Sequence, residues 1–125
     1  MYPFFSVGIG AALGAWLRWW LGLTMNSIFP AIPLGTLTAN IIGGFLMGIF
    51  MAITKIHAFI SETARLAIAT GFLGGLTTFS TFSAETVTLA SHQEYLWVAV
   101  ILISHVGGGV LATLLGIYTI KYLIM

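Results

Sequence analysis

The chain has 125 residues, of which 59% are hydrophobic and 6% are charged. Soluble domains carry about 25% charged residues, so this composition excludes a soluble fold and indicates a membrane protein. A formal net charge of +1 without a basic cluster argues against nucleic-acid binding, and zero cysteines exclude disulfides and thiolate metal sites.

Four segments are long and apolar enough to cross a bilayer, which takes about 20 residues each. No charged residue occurs between Arg18 and Lys55, and two further charge-free gaps follow later in the chain. The N-terminus has no basic region and no small-residue cleavage site, so the first span is expected to be retained. We predict an all-α membrane protein with spans over residues 3–24, 34–54, 63–90 and 95–122.

The first span carries Arg18 in its last third, beside three tryptophans. Tryptophan is typical of the headgroup level of a membrane. Arg18 has two interpretations: its side chain snorkels to the interface, or it attracts anions near a pore mouth.

The second span carries Asn40 at its middle, on a face shared with Thr36, Gly44 and Met47. A carboxamide offers two N–H donors. Asn40 is therefore either one half of an interhelical hydrogen bond or a donor to an anion.

The third span contains the run from Gly74 to Ser83, in which two glycines precede five hydroxyl residues. Adjacent glycines lower helix propensity by about 1 kcal/mol each, which predicts a helix break at Gly74 and Gly75. A break at membrane depth is tolerated only where the freed carbonyls face protein, water or an ion. Bonds from the hydroxyls back to their own backbone explain one or two of them. The others, Ser80, Thr81 and Ser83 among them, indicate a polar path.

Phe79 and Phe82 lie three residues apart and therefore share one helix face. Aromatic rings at such positions are ordinarily core residues. Ring edges carry the positive part of the aromatic quadrupole, however, so an edge next to hydroxyl donors can also face an anion.

The fourth span contains His105, which we interpret as a hydrogen-bonded packing residue. No His, Asp and Glu cluster has catalytic spacing, so the chain is not expected to be an enzyme. A short chain without an internal repeat can hardly enclose a pathway. Its weak charge bias permits insertion in both orientations. We therefore expect a second copy, in an antiparallel homodimer.

Three features together resemble the Fluc (CrcB) family of bacterial fluoride channels, over essentially the whole length. They are Arg18, the Asn40–Gly44 segment, and the run from Gly74 to Ser83 followed by Glu85. The resemblance implies an antiparallel, dual-topology homodimer with two fluoride pores in the cytoplasmic (inner) membrane. Its function would be passive fluoride export, which gives fluoride resistance.

The resemblance also implies roles for particular residues. Phe79 and Phe82 would contact fluoride with their ring edges, and Asn40 would be the pore amide. A structural, non-transported Na⁺ would be held by the backbone carbonyls of Gly74 and Thr77. The alternative is a small dual-topology multidrug exporter, which needs an acidic residue in the membrane centre. The one candidate, Glu85, is expected near the end of the third span.

Overall fold

A computed structural model, which describes residues 1–124, contains four long helices that are apolar enough to cross a membrane. They are α1 (Tyr2–Met25), α2 (Leu34–Ile56), α3 (Glu62–Ser91) and α4 (Tyr95–Ile124). Over these residues, the prediction of an all-α fold with four helices long and apolar enough to cross a membrane is confirmed. Helix α3 consists of two halves, residues 62–76 and Phe79–Ser91, separated by Thr77 and Thr78.

Glycines allow the helices to approach until backbone touches backbone. A Cβ added to Gly75 of α3 would lie 3.0 Å from the Cα of Ala11 in α1. One added to Gly48 of α2 would lie 2.8 Å from the carbonyl carbon of Thr113 in α4. Because lipid gives helices no hydrophobic reason to associate, such close packing is a main source of their affinity.

Asn26 joins the end of α1 to the start of α2. Its side-chain oxygen accepts hydrogen bonds from the backbone N–H groups of Gly35 (2.8 Å) and Thr36 (3.2 Å). The first N–H groups of a helix have no partner within the helix, so this cap satisfies two of them. It also fixes the position at which α2 enters the membrane.

The break in α3 lies at Thr77 and Thr78, so the prediction that it lies at Gly74 and Gly75 is wrong. Gly74 to Leu76 remain helical, whereas Thr77 and Thr78 are extended, with ψ angles of 154° and 119°. The physical reason is that Gly75 is required for the close approach to α1. Thr78, in contrast, starts the second half of α3, because its hydroxyl accepts a hydrogen bond from the N–H of Thr81 at 3.1 Å.

We predict that Gly14→Ala destabilises the protein and that Gly8→Ala, on the same helix, does not. The new Cβ at Gly14 would lie 2.7 Å from the backbone nitrogen of Leu76, whereas nothing lies within 4 Å of one at Gly8. Both changes raise helix propensity by about 1 kcal/mol, so any difference in stability between the two variants comes from the clash at Gly14. The free energy of unfolding in detergent micelles should fall by about 1–3 kcal/mol for Gly14→Ala. Equal stability of the two variants would contradict this packing.

Candidate functional site

The carboxamide of Asn40 pairs with both backbone groups of Thr78 at the break. Its oxygen accepts a hydrogen bond from the Thr78 N–H at 2.7 Å, and its nitrogen donates to the Thr78 carbonyl at 3.1 Å. Two extended residues interrupt the ladder of helical hydrogen bonds, and Asn40, from the neighbouring helix, replaces the lost partner of the Thr78 N–H and adds a hydrogen bond to the Thr78 carbonyl. The interhelical interpretation of Asn40 is therefore what its contacts show.

Arg18 is a hydrogen-bond partner for a second backbone group near the break, the carbonyl of Gly75. Its Nε donates a hydrogen bond to the carbonyl of Gly75 at 3.1 Å, and the side chain is half-buried. This carbonyl belongs to the last turn before the break, where an extended chain removes its helical donor. Arg18 also lines a cavity of about 310 Å³, together with Thr78 and Thr81.

A larger cavity of about 480 Å³ brings together most of the residues that the sequence singled out. Its lining includes Asn40, Gly74, Thr77, Phe79, Phe82 and His105. The ring centroids of Phe79 and Phe82 are 5.7 Å apart, and the rings pack edge to face with an interplanar angle of 68°. Their environments differ, however, since Phe82 is 6% exposed and Phe79 is 78% exposed. Phe79 therefore stands on a face that this chain leaves open.

His105 belongs to this site, which sequence reasoning did not predict. Its Nδ1 lies 2.9 Å from the amide nitrogen of Asn40, and its ring stacks on Phe82 with centroids 4.6 Å apart. Because the amide nitrogen is a donor, Nδ1 accepts and the ring proton is on Nε2. Within residues 1–124, the buried Nε2 has no hydrogen-bond partner. It offers one further neutral donor beside Phe82.

A signal for this placement exists in the fourth span. His105, Gly109 and Thr113 recur every four residues, as expected for one face of a helix. Thr113 from this face donates a hydrogen bond to the carbonyl of Gly44 in α2 at 2.9 Å. The segment Ile103–Gly107 is a π-helix, a distortion that is frequent at functional sites.

The hydroxyls of the Gly74–Ser83 run do not all lie together. Thr77 donates back to the carbonyl of Leu73 at 2.9 Å, and the Thr78 hydroxyl donates to that of Thr81 at 3.0 Å. Ser80 and Ser83 line neither of the two cavities described above. Back-bonding and capping thus account for Thr77 and Thr78.

Glu85 is paired with a hydroxyl. Thr36 donates to its Oε1 at 2.7 Å, and Oε2 is buried without a partner among the described residues. Glu85 lines a third cavity of about 570 Å³, which shares Thr81 with the Arg18 cavity. The Arg18 cavity in turn shares Thr78 with the Asn40 cavity. Three neighbouring cavities therefore extend from the aromatic rings to Glu85.

This fold and site define a class: a multi-pass membrane protein whose interrupted helix lines cavities that contain polar side chains within a largely apolar wall. Irregular backbone at membrane depth occurs where it is buried in protein or lines such a cavity, and ion pathways use this arrangement.

Comparison with known proteins gives the particular family. The family model described as "CrcB-like protein, Camphor Resistance (CrcB)" matches residues 5–117. A "Fluoride-specific ion channel FluC" of Nitrosospira multiformis is 54% identical over 98% of this chain and 96% of its own length. The protein of the same description from Thiobacillus denitrificans is 51% identical over 98% of this chain and 99% of its own length. The chain belongs to the CrcB family, which confirms the resemblance and does not favour the multidrug exporter.

We predict that Asn40→Leu lowers the free energy of unfolding by at least about 2 kcal/mol, because each buried group left unpaired costs about 1–3 kcal/mol. The groups left unpaired are the N–H of Thr78 and the Nδ1 of His105, and the Thr78 carbonyl loses its hydrogen bond from Asn40. Met47→Leu is the matched control, since Met47 lines the same cavity and the volume is nearly conserved. Unfolding in detergent micelles measures both. If the two variants were equally stable, Asn40 would not hold the break.

Proposed function

We propose that this protein is a fluoride channel, which exports fluoride passively across the cytoplasmic membrane of a bacterium and so gives fluoride resistance. One observation carries the proposal: Asn40, Phe79 and Phe82 line a single cavity. It is supported by relatives about half identical to this chain that are named fluoride-specific ion channels. Fluoride accumulates in the cytoplasm when HF diffuses in and dissociates, so a passive path outward relieves it.

The chemistry of the cavity suits a small anion. Moving an unpaired ion into a low-dielectric medium costs tens of kcal/mol, so a pore must replace the lost hydration. It must also hold the ion weakly enough to release it. Neutral donors and ring edges meet both conditions. We assign the ring edges to Phe79 and Phe82 and the hydroxyl donors to Ser80, Thr81 and Ser83, of which Thr81 lines the neighbouring Arg18 cavity and the two serines line neither cavity of a single chain. We assign the amide to Asn40, whose two N–H groups already bond Thr78 and His105, so that it would donate to an anion by exchanging one of these bonds.

We propose further that two copies assemble in opposite orientations. Gly74 and Phe79 line the cavity yet are exposed in a single chain, so the cavity has an open side. The chain contains no internal repeat that could supply the missing wall, whereas a second copy of the same surface would cover Phe79. Two equivalent sites in such a dimer would form two pores, and Arg18 would set the electrostatic potential near each pore mouth.

A structural Na⁺ is compatible with the residues present. The extended conformation of Thr77 and Thr78 removes the helical donors from the carbonyls of Gly74 and Thr77. The neighbouring Gly75 carbonyl accepts a hydrogen bond from Arg18. Within residues 1–124, no side chain donates to the carbonyls of Gly74 and Thr77. Both residues line the cavity, and Gly74 is exposed. In the proposed dimer, these carbonyls from each copy would hold the ion, which would be bound and not transported.

Fluoride flux tests the proposed path. Phe79→Ile and Phe82→Ile keep the bulk but remove the positive ring edge, and Asn40→Asp places a negative charge beside the anion. Each should slow fluoride efflux from liposomes at least about tenfold, equivalent to 1.4 kcal/mol of barrier. Phe5→Ile, on the exposed surface of α1, is the control and should conduct normally. Size-exclusion chromatography checks assembly of each variant.

The outcomes of this assay separate the candidates. Wild-type rates in all three variants would mean that the path runs elsewhere. Drug-coupled proton uptake by the wild-type protein, without fluoride efflux, would indicate the multidrug exporter instead.

Removal of sodium tests the proposed ion site without measuring conduction. We expect replacement of Na⁺ by N-methylglucamine to shift the purified protein from dimer to monomer on size-exclusion chromatography, because the carbonyls of Gly74 and Thr77 lose their partner. Thr77→Ser should behave as the wild type, since the proposed ligand is a backbone atom. A dimer that persists unchanged in both salts would contradict the proposed sodium site, whereas the proposed fluoride path would not be affected by that result.

A further inference from the structure

A groove lies between the C-terminal ends of α2 and α4, far along both helices from the break. The two helices run in the same direction, since Gly44 faces Gly109 and Gly48 faces Thr113. Their last turns are therefore neighbours at one end of the bundle. The groove has a volume of about 200 Å³ and is lined by Met51, Ala52, Lys55, Ile56, Ile117 and Lys121. None of these residues lines the three cavities of the candidate site.

The groove carries more positive charge than the helix ends require. Each helix C-terminus is equivalent to about half a negative charge, and one groove receives both Lys55 and Lys121. The two ammonium groups therefore outweigh the two helix ends. Lys121 also lies 5.5 Å from the ring centroid of Tyr118, which keeps its ammonium close to the helix. Among residues 1–124 no carboxylate lines the groove beside the two lysines.

The rest of the lining is apolar. Met51 and Ile117 lie one helical turn before Lys55 and Lys121 respectively, and so lie deeper along the spans. Met51 and Ile56 are 43% and 46% exposed. Lysines at the ends of spans extend toward the interface while their stems cover apolar surface. The groove thus presents cations at headgroup level above an apolar wall at acyl-chain level.

We propose that this groove is a binding site for one anionic phospholipid. The phosphate lies between Lys55 and Lys121, and an acyl chain lies along Met51 and Ile117. Basic pockets between transmembrane helices recognise anionic headgroups in this way. The apolar wall selects a membrane lipid over a free phosphate, because only the lipid places a chain beneath its charge.

The test measures thermal unfolding of the purified protein in neutral detergent with added lipid. Phosphatidylglycerol should raise the melting temperature more than phosphatidylcholine with the same chains. This extra shift should be lost in Lys55→Gln/Lys121→Gln, retained in Lys55→Arg/Lys121→Arg, and smaller in each single Gln variant. Arg65→Gln is the matched control, since it removes a cation from the same end of the bundle outside the groove. It should keep the full shift.

Two further arms identify the source of the anion. Soluble glycerophosphoglycerol at the same concentration should give no shift, because it has no acyl chain. Native mass spectrometry counts retained phosphatidylglycerol directly, and the double Gln variant should retain at least one molecule fewer than the wild type. The proposal is overturned if phosphatidylglycerol and phosphatidylcholine act equally on the wild type. It is also overturned if the double Gln variant keeps the shift, or if the soluble headgroup reproduces it.

Discussion

The structure depends on one constraint: a peptide group inside a membrane must find a partner other than water. Two extended residues, Thr77 and Thr78, interrupt α3 and release several such groups at once. Asn40 takes both groups of Thr78, and Arg18 takes the carbonyl of Gly75. These partners come from two other helices, so the break is stable only when α1, α2 and α3 are assembled.

Glycine packing makes these bonds geometrically possible. At Gly14 and Gly75, α1 and α3 approach until their backbones touch, which brings Arg18 within reach of the Gly75 carbonyl in the last turn before the break. At Gly43, α2 leaves room for the methyl group of Thr77. A side chain at either contact would move a helix by more than a hydrogen bond tolerates, since a bond stretched to 3.6 Å is effectively lost. The small residues therefore set the geometry of the polar site.

The site combines neutral hydrogen-bond donors with two charged side chains, Arg18 and Glu85, each of which is hydrogen-bonded to a neutral group. Asn40, His105 and the threonine hydroxyls carry no full charge, and Glu85 is bonded to Thr36 at 2.7 Å. A full cation beside the rings would bind an anion strongly and slow its release. An anion in this site would make several weak contacts with neutral groups instead of one strong contact with a cation, as the proposed function requires. Arg18 shares a cavity with Thr78 but donates its Nε hydrogen bond to the backbone.

The sequence alone determined the four spans and the family, because hydrocarbon excludes charge and the Gly74–Ser83 run is specific. It also placed Asn40, Phe79 and Phe82 correctly enough for them to line one cavity. Only the tertiary structure decided where α3 breaks, since that depends on which peptide groups find partners on other helices. Local propensity favoured a break at Gly74 and Gly75, but both residues stay helical, and Gly75 packs against α1. His105 and Asn40, which are 65 residues apart in the sequence, are likewise in contact only in the tertiary structure. The periodicity of one helix tells which of its residues share a face, but not which residue of another helix they contact.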